Sequence, residues 1–273
     1  MAKAEIVDSY DANYIQSRLN DYKLVYYMDE VDTTMRLAEE HARAKREFPA
    51  LFLTDHQTNG IGREGRIWKD NPGSSILATG LFNIDPSLIS IFGDLVTLRA
   101  CDTIARAGIS IGIKYPNDLV IGDKKVGGIL VRNVFGDSED SARYFGTMVG
   151  IGINVHYTED ELADYPTDYG ATALDLHTAS PNSRQDLLVA IFKRFTYLPA
   201  DARAFKVNSY SRNVQNQNWR RYSTILKREV SIESGEKIFI EGMVTDTQIG
   251  NGILVNKCWF SQFDTTMKVR LLD

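Results

Sequence analysis

The sequence predicts an α+β fold, a mixed β-sheet covered by helices with a small C-terminal β-barrel, from three observations. Residues 23–155 string together short β-rich apolar runs interrupted by two stretches of helical periodicity. Residues 184–221 keep helical spacing, whereas residues 229–273 alternate apolar and polar residues between glycine-bearing turns. A boundary between residues 221 and 222 then separates a large domain, 1–221, from the barrel, 222–273.

Residues 1–20 read as a polar leader. A strand is expected at 23–28, and Asp32 offers an N-cap for a helix at 33–45 whose N-terminus points at whatever lies beside Thr33 and Thr34. A second strand at 50–54 leads into a polar, glycine-bearing loop, 56–73, followed by a strand at 75–82. Asp85 and Pro86 open a helix to about residue 107, with Ile89, Phe92, Leu95, Leu98 and Ile104 at helical spacing to cover the sheet. Strands follow at 111–115, at 119–132 with a Gly122-Asp123 turn, and at 144–155. Ser234-Gly235 and Gly250-Asn251-Gly252 mark turns of the barrel.

The chain has 273 residues, 43% hydrophobic and 25% charged, enough to bury a substantial core. Its 31 Lys and Arg against 36 Asp and Glu give a net charge of -5, which argues against binding nucleic acid through a broad basic surface. Cys101 and Cys258 stand far apart without CxxC spacing, so neither a disulfide framework nor a zinc site is indicated, and a reducing cytoplasm fits. Lys3, Glu5, Asp8 and Asp11 interrupt the N-terminus, and no apolar run has the length of a signal peptide or membrane span.

Three stretches carry chemistry. In Gln57-Thr-Asn-Gly60-Ile-Gly62-Arg63-Glu-Gly65-Arg66-Ile-Trp68, glycines let the backbone approach a ligand and two arginines suit anionic groups. A solvated connection has the same composition, and the GxxxxGK[ST] spacing of a P-loop is absent. Lys114-Tyr-Pro116-Asn117-Asp118 and Lys124-Lys125-Val-Gly127-Gly128-Ile129-Leu130 place polar groups and two lysines around a turn, which a solvated hairpin would also do. Gly150-Ile-Gly152-Ile-Asn154 serves either a ligand or a buried strand needing close packing.

In this order and at these separations, the segments resemble the catalytic domain of biotin protein ligases. That family has a Ser/Thr-Thr-Asn element, a GRGRxGRxW loop, a KWPND element, a K-x-x-G-I-L element and a GIGIN strand. The counterparts here are Thr33-Thr34, Gly60 to Trp68, Lys114 to Asp118, Lys125 to Leu130 and Gly150 to Asn154. The resemblance covers roughly residues 26–155. It implies the catalytic fold shared with class II aminoacyl-tRNA synthetases, followed by an SH3-like barrel.

The resemblance also implies a reaction: biotin and ATP, with Mg²⁺, form biotinyl-5'-adenylate and pyrophosphate, and a lysine of a biotin carboxyl carrier protein then takes the biotin. Lys125, between the biotin carboxylate and the α-phosphate, and Arg63, which holds the adenylate, become the expected catalytic residues. Thr33, Thr34, Gln57, Gly60, Gly62, Arg63, Lys125 and Gly128 fall to biotin. Arg63, Arg66, Trp68, Asn117, Asp118, Lys125 and Asn154 fall to ATP or the adenylate. Asp118 matches a carboxylate that holds Mg²⁺ or accepts a proton from the incoming lysine. Lys124 is expected in solvent; the lesser alternative for Arg66 is a surface ion pair, and for Trp68 a place in the core.

Three departures stand out. Ile61 replaces a loop arginine, Met35 the usual Asn and Tyr115 the commoner Trp, while Glu64 adds a negative charge to the loop. The short segment before the first strand leaves no room for the DNA-binding domain of some relatives, so DNA regulation is not expected. Many relatives form homodimers through their sheets. The rival readings are a lipoate or octanoate protein ligase, against which stands the lack of an RRxSGGGxVxH-like segment, and a relative that binds biotin without turnover.

Overall fold

The computed structural model describes residues 9–44, 47–136, 143–234, 237–261 and 267–272. Helix α1 (Ala12–Arg18) lies within the stretch read as a polar leader. Asp11 caps it, its Oδ1 accepting from the Asn13 and Tyr14 amides, and Ile15, Leu19 and Tyr22 are buried. One short amphipathic turn is too brief to stand out as periodicity, but the cap was there to be read.

Strand β1 (Leu24–Val31), helix α2 (Thr34–Ala44) and strand β2 (Ala50–Gln57) form a β-α-β unit. β1 and β2 pair in parallel, so a crossover must join them, and α2 supplies it. Thr33 rather than Asp32 sits at the N-cap position, its Oγ1 accepting from the Met35 amide, while Asp32 accepts from the Thr33 amide and binds Arg36. The expected loop contains a small hairpin, β3 (Gly60–Ile61) and β4 (Ile67–Trp68).

Strand β5 (Ser75–Phe82) is buried along its whole length. After a 3₁₀ turn capped by Asp85, helix α3 (Ile89–Arg106) leads to β6 (Gly112–Lys114), β7 (Asp118–Ile121), β8 (Lys124–Phe135) and β9 (Tyr144–Asn154). The large sheet has the order β1-β2-β5-β9-β8-β7-β6, and every pair except β1–β2 is antiparallel. Alternation sends Phe52 and Leu81 to one face, under Met35, Ala38 and Ala42 of α2, and Leu51, Leu53 and Phe82 to the other. The second face meets Phe92 of α3 and Phe192 of α5 (Arg184–Phe195).

Before α5 comes a short helix, α4 (Glu159–Leu162), closed by a capping box between Thr158 and Glu161. The expected helical stretch 184–221 is three helices: α5, α6 (Leu198–Val207) and α7 (Ser209–Tyr222). Pro199 restarts the chain at α6, and Asn208 caps α7 by accepting from the Ser211 amide.

The C-terminal strands β10 (Glu229–Ser234), β11 (Lys237–Gln248), β12 (Gly252–Val255), β13 (Cys258–Phe260) and β14 (Met267–Leu271) make a second, five-stranded antiparallel sheet in the order β13-β12-β11-β10-β14. The Gly250-Asn251-Gly252 turn is present, with positive φ at both glycines; Gly235 of the other expected turn lies outside the described residues. The sheet is fastened to the helices by specific bonds. Trp219 Nε1 donates to Thr247 Oγ1 at 2.8 Å, Arg220 clasps Asp246, and Asp94 of α3 accepts from the Gly250 amide at 2.7 Å. Among the described residues no helix is long and apolar enough to cross a membrane.

Candidate active site

The fold brings the N-terminus of α2, the end of β2, the β3–β4 loop, the start of β7 and the middle of β8 and β9 around one cavity. Of the residues singled out from sequence, Thr33, Thr34, Gln57, Gly62, Arg63, Arg66, Trp68, Asn117, Asp118, Lys125, Gly128 and Asn154 line it. Gly60 does not. Its place is opposite Trp68 at the end of the hairpin away from the connecting loop, where an added Cβ would stand 2.5 Å from the Trp68 carbonyl oxygen and 3.1 Å from Gln57 Nε2. Lys124 is exposed, as expected.

One end of the cavity is a buried hydrogen-bond cluster. Gln57 Oε1 accepts from the Thr34 amide at 2.8 Å and from Thr34 Oγ1 at 3.2 Å, and Thr34 Oγ1 also lies 2.8 Å from Thr79 Oγ1. Gln57 is held in turn by Asp70, which accepts from its amide and lies 2.8 Å from His56 Nδ1. That contact ties together the two ends of the glycine-arginine loop. Burial raises the Asp70 pKa, with His56 opposing the shift.

The walls are apolar because two glycines make room. A Cβ on Gly150 would meet Met35 Sδ at 2.9 Å, and one on Gly152 would meet Trp68 Cε2 at 2.5 Å. The Gly-Ile-Gly-Ile-Asn strand therefore serves close packing and the cavity at once, with the Trp68 indole laid over its backbone. Trp68 Nε1 and Asn154 Oδ1 are buried without a hydrogen-bond partner among the described residues, leaving a donor and an acceptor at this wall. Asn154 is anchored by its Nδ2, which donates to the Thr172 carbonyl.

The other end is ionic. Lys125 Nζ lies 2.7 Å from Asp118 Oδ1 and 5.8 Å from the Trp68 ring centre. Gly128 lies beside this pair, with the position of a Cβ there 3.4 Å from Lys125 Nζ and 3.6 Å from Asp118 Oδ1. Arg63 donates from Nη1 to Asn117 Oδ1 at 3.2 Å, and Asn117 Nδ2 donates to the Ile129 carbonyl. Glu64 adopts positive φ at the loop tip, its Oε1 4.0 Å from Arg63 Nη2. Arg66 makes an exposed ion pair with Asp168 at 3.6 Å. Lys125 and Arg63 thus stand with further cations around a cavity whose opposite end presents neutral hydrogen-bonding groups, an arrangement able to bring two anions together.

Sequence reasoning missed several residues here. Lys114 is buried, lines the cavity and stands 3.2 Å from the centre of the Tyr169 ring; burial lowers its pKa. Tyr169 belongs to the irregular stretch after α4, and its hydroxyl donates to Asp118 Oδ2 at 2.6 Å. Lys268 and Arg270 reach the cavity from β14. Lys114 stood inside a recognised motif, but nothing in the sequence distinguishes Tyr169 from its neighbours.

Among the described residues, no group of three or more His, Cys, Asp or Glu side chains could hold a metal ion. Both Asp118 oxygens are already taken, by Lys125 and Tyr169.

Comparison with known proteins bears on the fold and the family. Residues 27–154 match the model of the biotin/lipoate A/B protein ligase family. The bifunctional ligase/repressor BirA of Bacillus subtilis is 30% identical over 178 residues, covering 62% of this chain and 53% of that protein. The biotin--[acetyl-CoA-carboxylase] ligase of Mycobacterium tuberculosis is 30% identical over 140 residues, 48% of this chain and 47% of that one. The chain spans about half the length of the curated relatives it matches. The structure of biotin protein ligase from Aquifex aeolicus in complex with biotin and ATP has the same fold, with a TM-score of 0.72 and 23% identity over 92% of this chain and 100% of that one. The match to the biotin/lipoate A/B protein ligase family rests on residues 27–154, just under half of the chain.

Proposed function

We propose that this chain is an ATP-dependent biotin protein ligase that forms biotinyl-5'-adenylate and passes the biotin to a lysine of a biotin carboxyl carrier protein. The observation that carries the reading is the convergence of Arg63 and Trp68 from the glycine-arginine loop and Lys125 from β8 on the cavity that Thr34 and Gln57 close at its other end. Relatives named as biotin ligases support it.

In the first step a biotin carboxylate oxygen attacks the α-phosphorus of ATP, the bond to the β-phosphate breaks, and pyrophosphate leaves. The protein needs no nucleophile. It must hold two anions in line and neutralise charge growing on the α-phosphate. Lys125, a compact ammonium, serves both anions, and Arg63 holds the adenylate. Thr33, Thr34 and Gln57 take the biotin head or carboxylate, while Gly62 and Gly128 leave space for the ligand. Trp68 and Asn154 face the adenine with their unused donor and acceptor, and Asn117 and Arg66 lie toward the phosphates.

In the second step the neutral amine of the carrier lysine attacks the acyl carbon, AMP leaves with the bonding electrons, and the extra proton passes to solvent. We assign Asp118 to orienting Lys125, and magnesium to ATP as its accompanying ion. The catalytic unit is placed at 1–221 and the C-terminal unit at 222–273, with the protein working in a reducing cytoplasm.

Transfer of labelled biotin to a purified carrier domain, with ATP and Mg²⁺, tests the proposal when the natural chain is compared with Lys125→Ala. Labelling that collapses in the variant is the expected result. No labelling by the natural chain overturns the reading, and octanoate transfer in its place would mark the lipoate-type activity.

A further inference from the structure

The stretch after α4 crosses the ionic end of the cavity as a strap stitched to Lys125. The Lys125 amide donates to the Gly170 carbonyl at 3.0 Å, the Thr172 amide donates to the Lys125 carbonyl at 2.8 Å, and Asn154 Nδ2 holds the Thr172 carbonyl at 3.1 Å. These bonds form a parallel bridge between Lys125 and Ala171, outside the large sheet. The strap is therefore fastened to the main chain of the lysine assigned above to catalysis.

Tyr169 is the residue this strap delivers. Its hydroxyl donates to Asp118 Oδ2 at 2.6 Å while Asp118 Oδ1 faces Lys125 at 2.7 Å, so one carboxylate is divided between the two. The face of the same ring carries the Lys114 ammonium, 3.2 Å from its centre, and among the described residues no carboxylate lies within ion-pair distance of Lys114. Lys114 stands opposite Asp118 on the β6–β7 pair. Burial and the neighbouring Asp118 raise the Tyr169 pKa, which keeps the phenol protonated as the donor.

We propose that Tyr169 is a positioning residue that places both lysines of the site: its hydroxyl turns Asp118 toward Lys125, and its ring seats Lys114 as a second cation for the polyphosphate of ATP. This rests on the ligase reading. It makes the two ends of one side chain separable, because Tyr169→Phe removes the hydroxyl and keeps the ring, whereas Tyr169→Leu removes both.

Biotin-dependent exchange of pyrophosphate into ATP, measured on the full chain, tests it. Tyr169→Phe is expected to lower kcat about tenfold, the loss of one hydrogen bond to a charged group, with the KM for ATP unchanged. Tyr169→Leu is expected to lose as much in kcat and also to raise the KM for ATP. Tyr169→Phe added to Asp118→Asn is expected to cost nothing further, since the group it orients is gone. A natural kcat in Tyr169→Phe, a loss that multiplies onto Asp118→Asn, or equal changes of kcat and KM in Phe and Leu would each overturn the proposal. Tyr169→Phe decides alone should the Leu variant not fold. No exchange by the natural chain overturns the ligase reading and this proposal with it, whereas exchange by the natural chain that Tyr169→Phe leaves intact overturns this proposal only.

Discussion

Asp118 and Lys125 sit on adjacent strands, Asp118 opposite Gly128 and Lys125 opposite Val120, and their charged groups meet at 2.7 Å across a register shift between β7 and β8. The shift aims both side chains into one cavity. Lys125→Ala removes the cation closest to the proposed reaction centre, and a loss of about 10²–10³ in pyrophosphate release on mixing with biotin and ATP is expected. Lys125→Arg is expected to recover little, because a planar guanidinium does not replace a compact ammonium between two anions. Full activity in Lys125→Ala would remove Lys125 from the mechanism.

Gly152→Ala should act through Trp68. The new methyl would stand 2.5 Å from Trp68 Cε2, and the indole, lying against the strand backbone, must leave. Destabilisation of about 1–3 kcal/mol is expected, together with a raised KM for ATP and altered tryptophan fluorescence. Urea melts and steady-state kinetics read the two effects separately.

Ile61 pairs with Ile67 across the hairpin, is about a third exposed at 37%, and lines the cavity. Ile61→Arg restores a cation to the loop and is expected to slow release of the adenylate about tenfold, while Arg63→Ala speeds it. Filter retention of radiolabelled adenylate over time measures both. Identical lifetimes in all three proteins would mean that the loop charge does not hold the intermediate.

Burial pushes the Asp94 carboxyl up to about 7, opposed in part by the Gly250 amide that it accepts from. Because its folded pKa is raised, the folded protein keeps a proton there that the unfolded chain has released. Its contribution to stability is complete below the ordinary carboxylate range and is lost as pH rises through about 7. Asp94→Asn, which removes this titration, is expected to gain stability relative to the natural chain between about pH 5 and about pH 8, as read by urea unfolding. A constant difference across that window would assign the pH dependence elsewhere.

Much of the site was legible because ligand loops carry unusual composition. Gly60, Gly62, Arg63, Arg66 and Trp68 crowd a short stretch, and Lys125, Gly128, Gly150 and Asn154 sit in recognisable runs. Gly60, assigned to biotin by resemblance, also packs beneath the Trp68 carbonyl: a glycine required for packing and one required for a ligand look alike in sequence. Helix α1 was missed because one short turn carries too little periodicity, although Asp11 marked its start.

By itself, the sequence determined the elements and their character. The period of its apolar residues separates strands from helices, as at β5 and α3, and the caps, prolines and glycines mark where segments stop. Only the tertiary structure decided which distant groups meet. Tyr169 reaches Asp118, and Lys114 lies over the Tyr169 ring, because the irregular strap bonds to the main chain of Lys125. Those backbone bonds depend on no side-chain pattern, so the partnership they impose leaves no trace in the order of the residues.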